Sequence, residues 1–245
     1  MSIWITGDTH GNWMHRLNTN AFPEQKGMTK DDYVIICGDF GLWYDTKQER
    51  YNLDWLDNKS FTTLFVDGNH ECFDRLYSMS VEEWRGGNVH FIRPSVIHLM
   101  RGQVFYIDGK TFFTFGGASS HDIQDGILEP GDSRIKEWER ELRMFRVNHV
   151  SWWKEELPSN EEMRTGVENL LLYNNRIDFI VTHCASNSTA ALISHGLYKP
   201  DKLTSYFEDV RQTVDFKKWF FGHYHDNKAV NDKEILLYDQ IIRIS

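Results

Sequence analysis

Asp8-Thr9-His10, Gly38-Asp39, Gly68-Asn69-His70-Glu71, Thr182-His183 and Gly222-His223-Tyr224-His225 offer carboxylates, imidazoles and an amide oxygen, the donors that hard and borderline divalent cations take. Each cluster alone is weak, since an Asp-x-His or a Gly-Asn-His is commonly a turn and His223-x-His225 also describes two imidazoles on one face of a strand. Their conjunction carries the weight. Every one follows a short run rich in Val, Ile, Phe and Tyr, the place where a strand of an open sheet ends and where such sheets gather their ligands. A further strand-end cluster, Gly116-Gly117, offers only close approach of the backbone.

The elements that must position these residues are short buried strands. Ser2–Thr6, Tyr33–Cys37, Thr63–Val66, Phe113–Phe115, Ile177–Thr182 and Trp219–Phe221 read as strands, and stretches long enough for a helix separate the early ones. This alternation implies an α/β protein with an at least partly parallel sheet covered by helices. Gln103–Ile107 and Thr111–Phe115 flank Asp108-Gly109, a favoured tight reversal, and predict a hairpin that extends the sheet or forms a second one. From 118 to 176 the pattern changes. Ile135, Trp138, Leu142 and Phe145 make one apolar stripe and predict a helix over Arg134–Phe145. Ser159 and Glu162 form a capping box ahead of a second helix whose buried face is Met163, Val167, Leu170 and Leu171. The segment interrupts the motif-bearing strands, so the expectation is a single domain over 1–245 with a helical insertion or cap at about 118–176. Leu203, Phe207, Val210 and Val214 predict a last amphipathic helix.

Composition sets the outer limits. A hydrophobic fraction of 40% and a charged fraction of 26% over 245 residues belong to a folded domain and exclude a disordered or fibrous chain. The formal charge of −9, with no long basic run, argues against broad attraction to duplex nucleic acid. The N-terminus runs straight into a strand pattern without a basic leader or a long apolar stretch, and three scattered cysteines suit a reducing compartment, so a cytoplasmic protein with no membrane partner is expected.

The ordered motif set, from Asp8 to His225, resembles that of the calcineurin-like metallophosphoesterase superfamily. That resemblance implies a β-sandwich of two mixed sheets flanked by helices and a dinuclear metal centre. Asp8, His10 and His225 would hold one divalent ion, Asn69, His183 and His223 the other, and Asp39 would bridge them. Manganese is the first expectation for both ions, with Fe, Zn, Ni, Co or Mg as substitutes. Two carboxylates against two divalent cations leave about +2 of formal charge, enough to draw a phosphate into an acidic protein. The implied reaction is hydrolysis of a phosphate mono- or diester by in-line attack of a metal-bridging hydroxide, with His70 protonating the departing oxygen.

Departures from the pattern narrow the subclass. Protein Ser/Thr phosphatases carry phosphate-clamping arginines beyond the Gly-Asp motif and before Gly-Asn-His-Glu; here those stretches read Gly38-Asp39-Phe40-Gly41-Leu42-Trp43 and Asp67-Gly68-Asn69-His70-Glu71. Their absence favours diesters or small phosphorylated molecules, with a nucleotide-like substrate preferred. The alternatives are a nuclease on single-stranded ends and a noncatalytic scaffold, the latter disfavoured because every expected ligand is retained. Trp43, Trp152 and Trp153 are candidates to stack a flat group, and Ser119, Asp122 and Arg134 to reach the pocket from the insertion.

Overall fold

The computed structural model describes all 245 residues. In chain order its strands are β1 (Ile3–Thr6), β2 (Tyr33–Ile36), β3 (Thr62–Phe65), β4 (Glu82–Trp84), β5 (Gly87–Arg93), β6 (Val96–Leu99), β7 (Gln103–Ile107), β8 (Lys110–Phe115), β9 (Gly126–Leu128), β10 (Phe145–Val147), β11 (Arg176–Thr182), β12 (Asp215–Phe221), β13 (Lys228–Ala229), β14 (Glu234–Leu236) and β15 (Ile241–Arg243). Apart from β9 and β10, which pair with each other, they form two mixed sheets, ordered β15-β1-β2-β3-β6-β5-β4 and β13-β14-β12-β11-β8-β7.

The sheets pack face to face with helices outside both. Strands buried on both faces must be apolar throughout rather than alternating, which is why Tyr33-Val34-Ile35-Ile36 reads as an unbroken run. Tyr33, Ile35 and Leu64 meet Phe112, Phe179 and Phe220 of the second sheet in the central layer. Val34, Ile36 and Phe65 point the other way, toward Leu53 and Leu56 of the helix Lys47–Asp57. On the far side, Phe113, Ile180 and Trp219 pack against Leu203, Phe207 and Val210 of the helix Lys202–Thr213. The predicted stripe of that helix is therefore its buried face.

The β1, β2 and β3 strands run parallel, as do β8, β11 and β12, so the carboxyl ends of two parallel groups are available to one site. The hairpin at Asp108-Gly109 joins β7 to β8. No helix is long and apolar enough to cross a membrane.

The segment 118–176 differs from its expected form. It contains the parallel pair β9–β10 as well as helices. The helix predicted over Arg134–Phe145 is only Ile135–Arg140, and none of its residues is buried. Leu142 adopts φ 54° and is 88% exposed, while Trp138 packs against Phe145 and the guanidinium of Arg143 instead of the core. The stripe thus folds back on itself. The second helix, Asn160–Leu172, has its capping box, but only Gly166 and Leu170 are buried; Val167 and Leu171 face solvent. The insertion is pinned by buried Trp153, whose Nε1 donates to Asp74 at 2.8 Å, and by Arg101, which donates to Glu155 O at 2.8 Å.

Candidate metal centre

The loops after β1, β2, β3, β11 and β12 converge. Asp8 and Asp39 are each only 1% exposed, and two glycines make room for them: a Cβ on Gly222 would lie 2.0 Å from Asp8 Oδ1, and one on Gly68 2.0 Å from Asp39 Oδ1. His10, Asp39, His223 and His225 all take positive φ, at 46°, 44°, 70° and 51°. Such left-handed residues cost about 1–3 kcal/mol each and persist where surrounding bonds over-determine them. Here His10 N donates to Asp39 O at 2.7 Å and His223 N to Asp8 Oδ1 at 3.0 Å.

Two donor groups result. In the first, His225 Nε2 lies 3.2 Å from both His10 Nε2 and Asp8 Oδ2, with His10 Nε2 4.0 Å from that oxygen. In the second, His183 Nε2 lies 3.2 Å from Asn69 Oδ1 and 3.4 Å from Asp39 Oδ1. Ligand atoms bound about 2.1 Å from one ion at octahedral to tetrahedral angles stand about 3.0–3.4 Å apart. Most of these spacings therefore already suit a cation. Asp39 faces both groups, its Oδ1 toward His183 and its Oδ2 toward His10 Nδ1 at 3.7 Å. Asp8 also touches both sets, but through His183 Nδ1 at 3.9 Å, and that nitrogen is already bonded to Cys37 O at 2.8 Å. Both carboxylates thus touch both groups, Asp39 reaching His10 through Nδ1 and Asp8 reaching His183 through Nδ1.

The electrostatics agree with a site shaped for positive charge. Burial opposes the ionisation of Asp39, yet His183, with His70 and His10 beyond it, holds its carboxyl far below the usual range. Burial likewise disfavours the charged His183, but Asp39 and Asp8 push its pKa up to about 10. The paired buried carboxylates thus favour positive charge at this position.

Each donor is oriented by a neighbour. His183 donates from Nδ1 to Cys37 O, which leaves Nε2 free. The Nδ2 of Asn69 donates to Ser120 Oγ at 3.3 Å, turning Oδ1 toward His183, and Ser120 in turn donates to both oxygens of buried Glu156. Glu71 points away from the donors and accepts from the backbone of Phe40, Gly41 and Leu42, clamping the loop that follows Asp39. Arg16 braces the Asp8 loop through Asp8 O at 3.1 Å.

His223 sits at the edge of the second group, its ring 5.0 Å from that of His183 and its Nε2 2.8 Å from Nε2 of His121. Burial and the imidazoles of His183 and His121 hold His223 neutral. His70 donates its backbone N–H to Asp39 Oδ1 at 2.8 Å, and its ring lies 5.6 Å from His10 and 5.9 Å from Trp43. Burial lowers its pKa against the pull of Asp39, with Arg146 lowering it further.

Of the other candidates, Trp153 is core, Trp43 stands beside His70, and Arg134 pairs with Asp132 on the surface. Trp152 is partly buried and its Nε1 has no partner. Ser119 lines a cavity next to the centre, and Asp122 pairs with Arg146. Sequence reasoning passed over Ser120, His121, Glu156 and Arg146. The first two stand within five residues of Gly116-Gly117, so reading past that strand end would have found them; nothing local marks Arg146 or Glu156.

The family model for calcineurin-like phosphoesterases matches residues 1–227, and the chain belongs to that family. Among curated proteins it is similar to a lariat debranching enzyme of Drosophila pseudoobscura pseudoobscura, 23% identical over 92% of this chain and 42% of that protein. Lariat debranching enzyme A of Xenopus laevis is 26% identical over 53% of this chain and 26% of its own length. The chain spans from 26% to 42% of the curated relatives it matches. Among solved structures, a phosphopantetheinyl hydrolase from Mycobacterium tuberculosis aligns over 97% of this chain and 88% of its own, with a TM-score of 0.44 and 16% identity.

Proposed function

We propose that this chain is a two-metal phosphodiesterase acting on a nucleotide-like ester, with Asp8, His10 and His225 holding one divalent cation, Asn69, His183 and His223 the other, and Asp39 between them. The observation that carries the reading is the split of the Asp39 carboxylate, Oδ1 toward His183 and Oδ2 toward His10. The mixed imidazole, carboxylate and amide set suits Mn, with Fe, Zn, Ni, Co or Mg as substitutes. Bound there, the pair of cations supplies a nucleophile from water near neutral pH and withdraws charge from the phosphoryl oxygens.

The chain's own residues do the rest. Asp39 accepts the His70 backbone N–H, which anchors the turn that carries the imidazole. The His70 imidazole, in the protonated form that burial disfavours and Asp39 favours, is the group assigned to hand a proton to the leaving alcohol. Ser120 and Glu156 keep the Asn69 amide turned toward the centre.

Similarity to lariat debranching enzymes favours a diester over a monoester and keeps a nuclease acting on single-stranded ends as the second reading. The net charge of −9 weighs against long nucleic acid, so a small substrate in the cytoplasm comes first. The test is purified protein loaded with Mn, Mg, Zn, Ni or Co and given paired aryl mono- and diesters. Metal-dependent turnover with diesters preferred is expected; hydrolysis that survives chelation would remove the metal reading.

A further inference from the structure

Beside the second donor group lies a cavity of about 400 Å³, within the range of small-molecule sites. His121 and His223 are part of its wall, which sets the cavity directly beside the second donor group. Two further walls are Tyr198 and Tyr224, whose rings stand 5.2 Å apart edge to face; the ring of His121 lies tilted against Tyr198, 4.7 Å between centroids.

The polar lining says what the arm is. Ser119, Gln124, Asn187 and Thr204 are uncharged. Lys199 is the only Lys or Arg in the lining, and it stands near Asp201, whose Oδ1 already caps the helix Lys202–Thr213. A second phosphate would find no cluster of cations there. A bare alkyl chain would strand the amides and hydroxyls in apolar contact. Asn187 is fixed in that wall, its Nδ2 tied to Ser205 Oγ at 3.1 Å.

We propose that this cavity receives a neutral nucleoside arm of the substrate, its base against Tyr198, an inference that rests on the phosphoesterase reading of the adjoining centre. A heteroaromatic base combines the flat face that packs on a tyrosine with the in-plane polar atoms that an uncharged polar lining meets. The pocket thereby selects nucleoside esters over esters of simple alcohols.

Adenosine itself, titrated into metal-loaded protein by calorimetry, tests the cavity without any chemistry at phosphorus. Saturable binding is expected, at least tenfold weaker in Tyr198→Ala and restored in Tyr198→Phe. In parallel, the ratio of kcat/KM for a dinucleoside monophosphate to that for methyl 4-nitrophenyl phosphate should fall about tenfold in Tyr198→Ala, mainly through KM. No saturable adenosine binding by the unaltered protein, or equal affinity in Tyr198→Ala, overturns the proposal. Adenosine binding without hydrolysis of either ester under any metal would instead sink the phosphoesterase reading and leave the nucleoside pocket standing.

Discussion

The donor residues and the insertion that surrounds them reach the same site by different routes. Asp8, His10, Asp39, Asn69, His183, His223 and His225 sit in short motifs at the carboxyl ends of strands, where the backbone pattern alone places them on one edge of the fold. Ser120, His121, Asp122, Arg146 and Glu156 come from the stretch after β8, and each acts on that edge through a contact across the chain: Ser120 on Asn69, His121 on His223, Arg146 with Asp122 on the surroundings of His70. The lesson is a division of labour. Strand ends supply the candidate ligand atoms, and the stretch after β8 makes hydrogen bonds to two of those residues, Asn69 and His223.

The largest effect should come from breaking the first region at its centre. Asp39→Asn removes the oxygen pair that faces both groups; activity should fall about a thousandfold or more, and elemental analysis should show fewer metals per chain. Full activity in that variant would end the bridging role.

Next in size is His70→Ala. The kcat on an ester with a poor leaving group should drop about 10²–10⁴-fold while metal content stays intact. Unchanged turnover would take His70 out of the chemistry.

Ser120→Ala sharpens the comparison from the other side, because it touches no expected ligand atom. Without the Ser120 acceptor the Asn69 amide is free to turn, and metal affinity at the second position should weaken about 10–100-fold, read by competition with a chelator. If both positions keep their affinity, the insertion does not orient the centre.

The smallest effect belongs to neither region. His90, on β5, is buried against His98, and burial with the neighbouring imidazole lowers its pKa to about 4 from 6.5. Between those values the unfolded chain binds a proton that the folded one refuses, so stability is full above about 6.5 and declines as pH falls toward about 4. Thermal melts from pH 7 to 4.5 should show this slope, and His90→Phe should flatten it; an unchanged slope would assign the acid sensitivity elsewhere.

Much of the fold was legible because buried strands announce themselves. Tyr33-Val34-Ile35-Ile36 has no polar alternation to mislead, the Asp108-Gly109 reversal fixes the hairpin, and Ser159 with Glu162 starts a helix where expected. The stripe at Ile135, Trp138, Leu142 and Phe145 misled, since periodicity records which side chains can share a face and not what covers it. Here the arginines around Trp138 and the left-handed turn at Leu142 replace core contact.

By itself the amino-acid order determined which residue types end each strand, and hence that carboxylates, imidazoles and an amide gather at one edge of two parallel strand groups. Tertiary structure alone decided the rest: that Glu156 reaches Ser120 over 36 residues, that Arg146 meets Asp122 over 24, and that a cavity lined by His121 and Tyr198 opens beside the centre. The reason is range. A strand and its end are set by interactions between near neighbours, whereas a contact closed over a loop depends on how every intervening element packs, which no local spacing encodes.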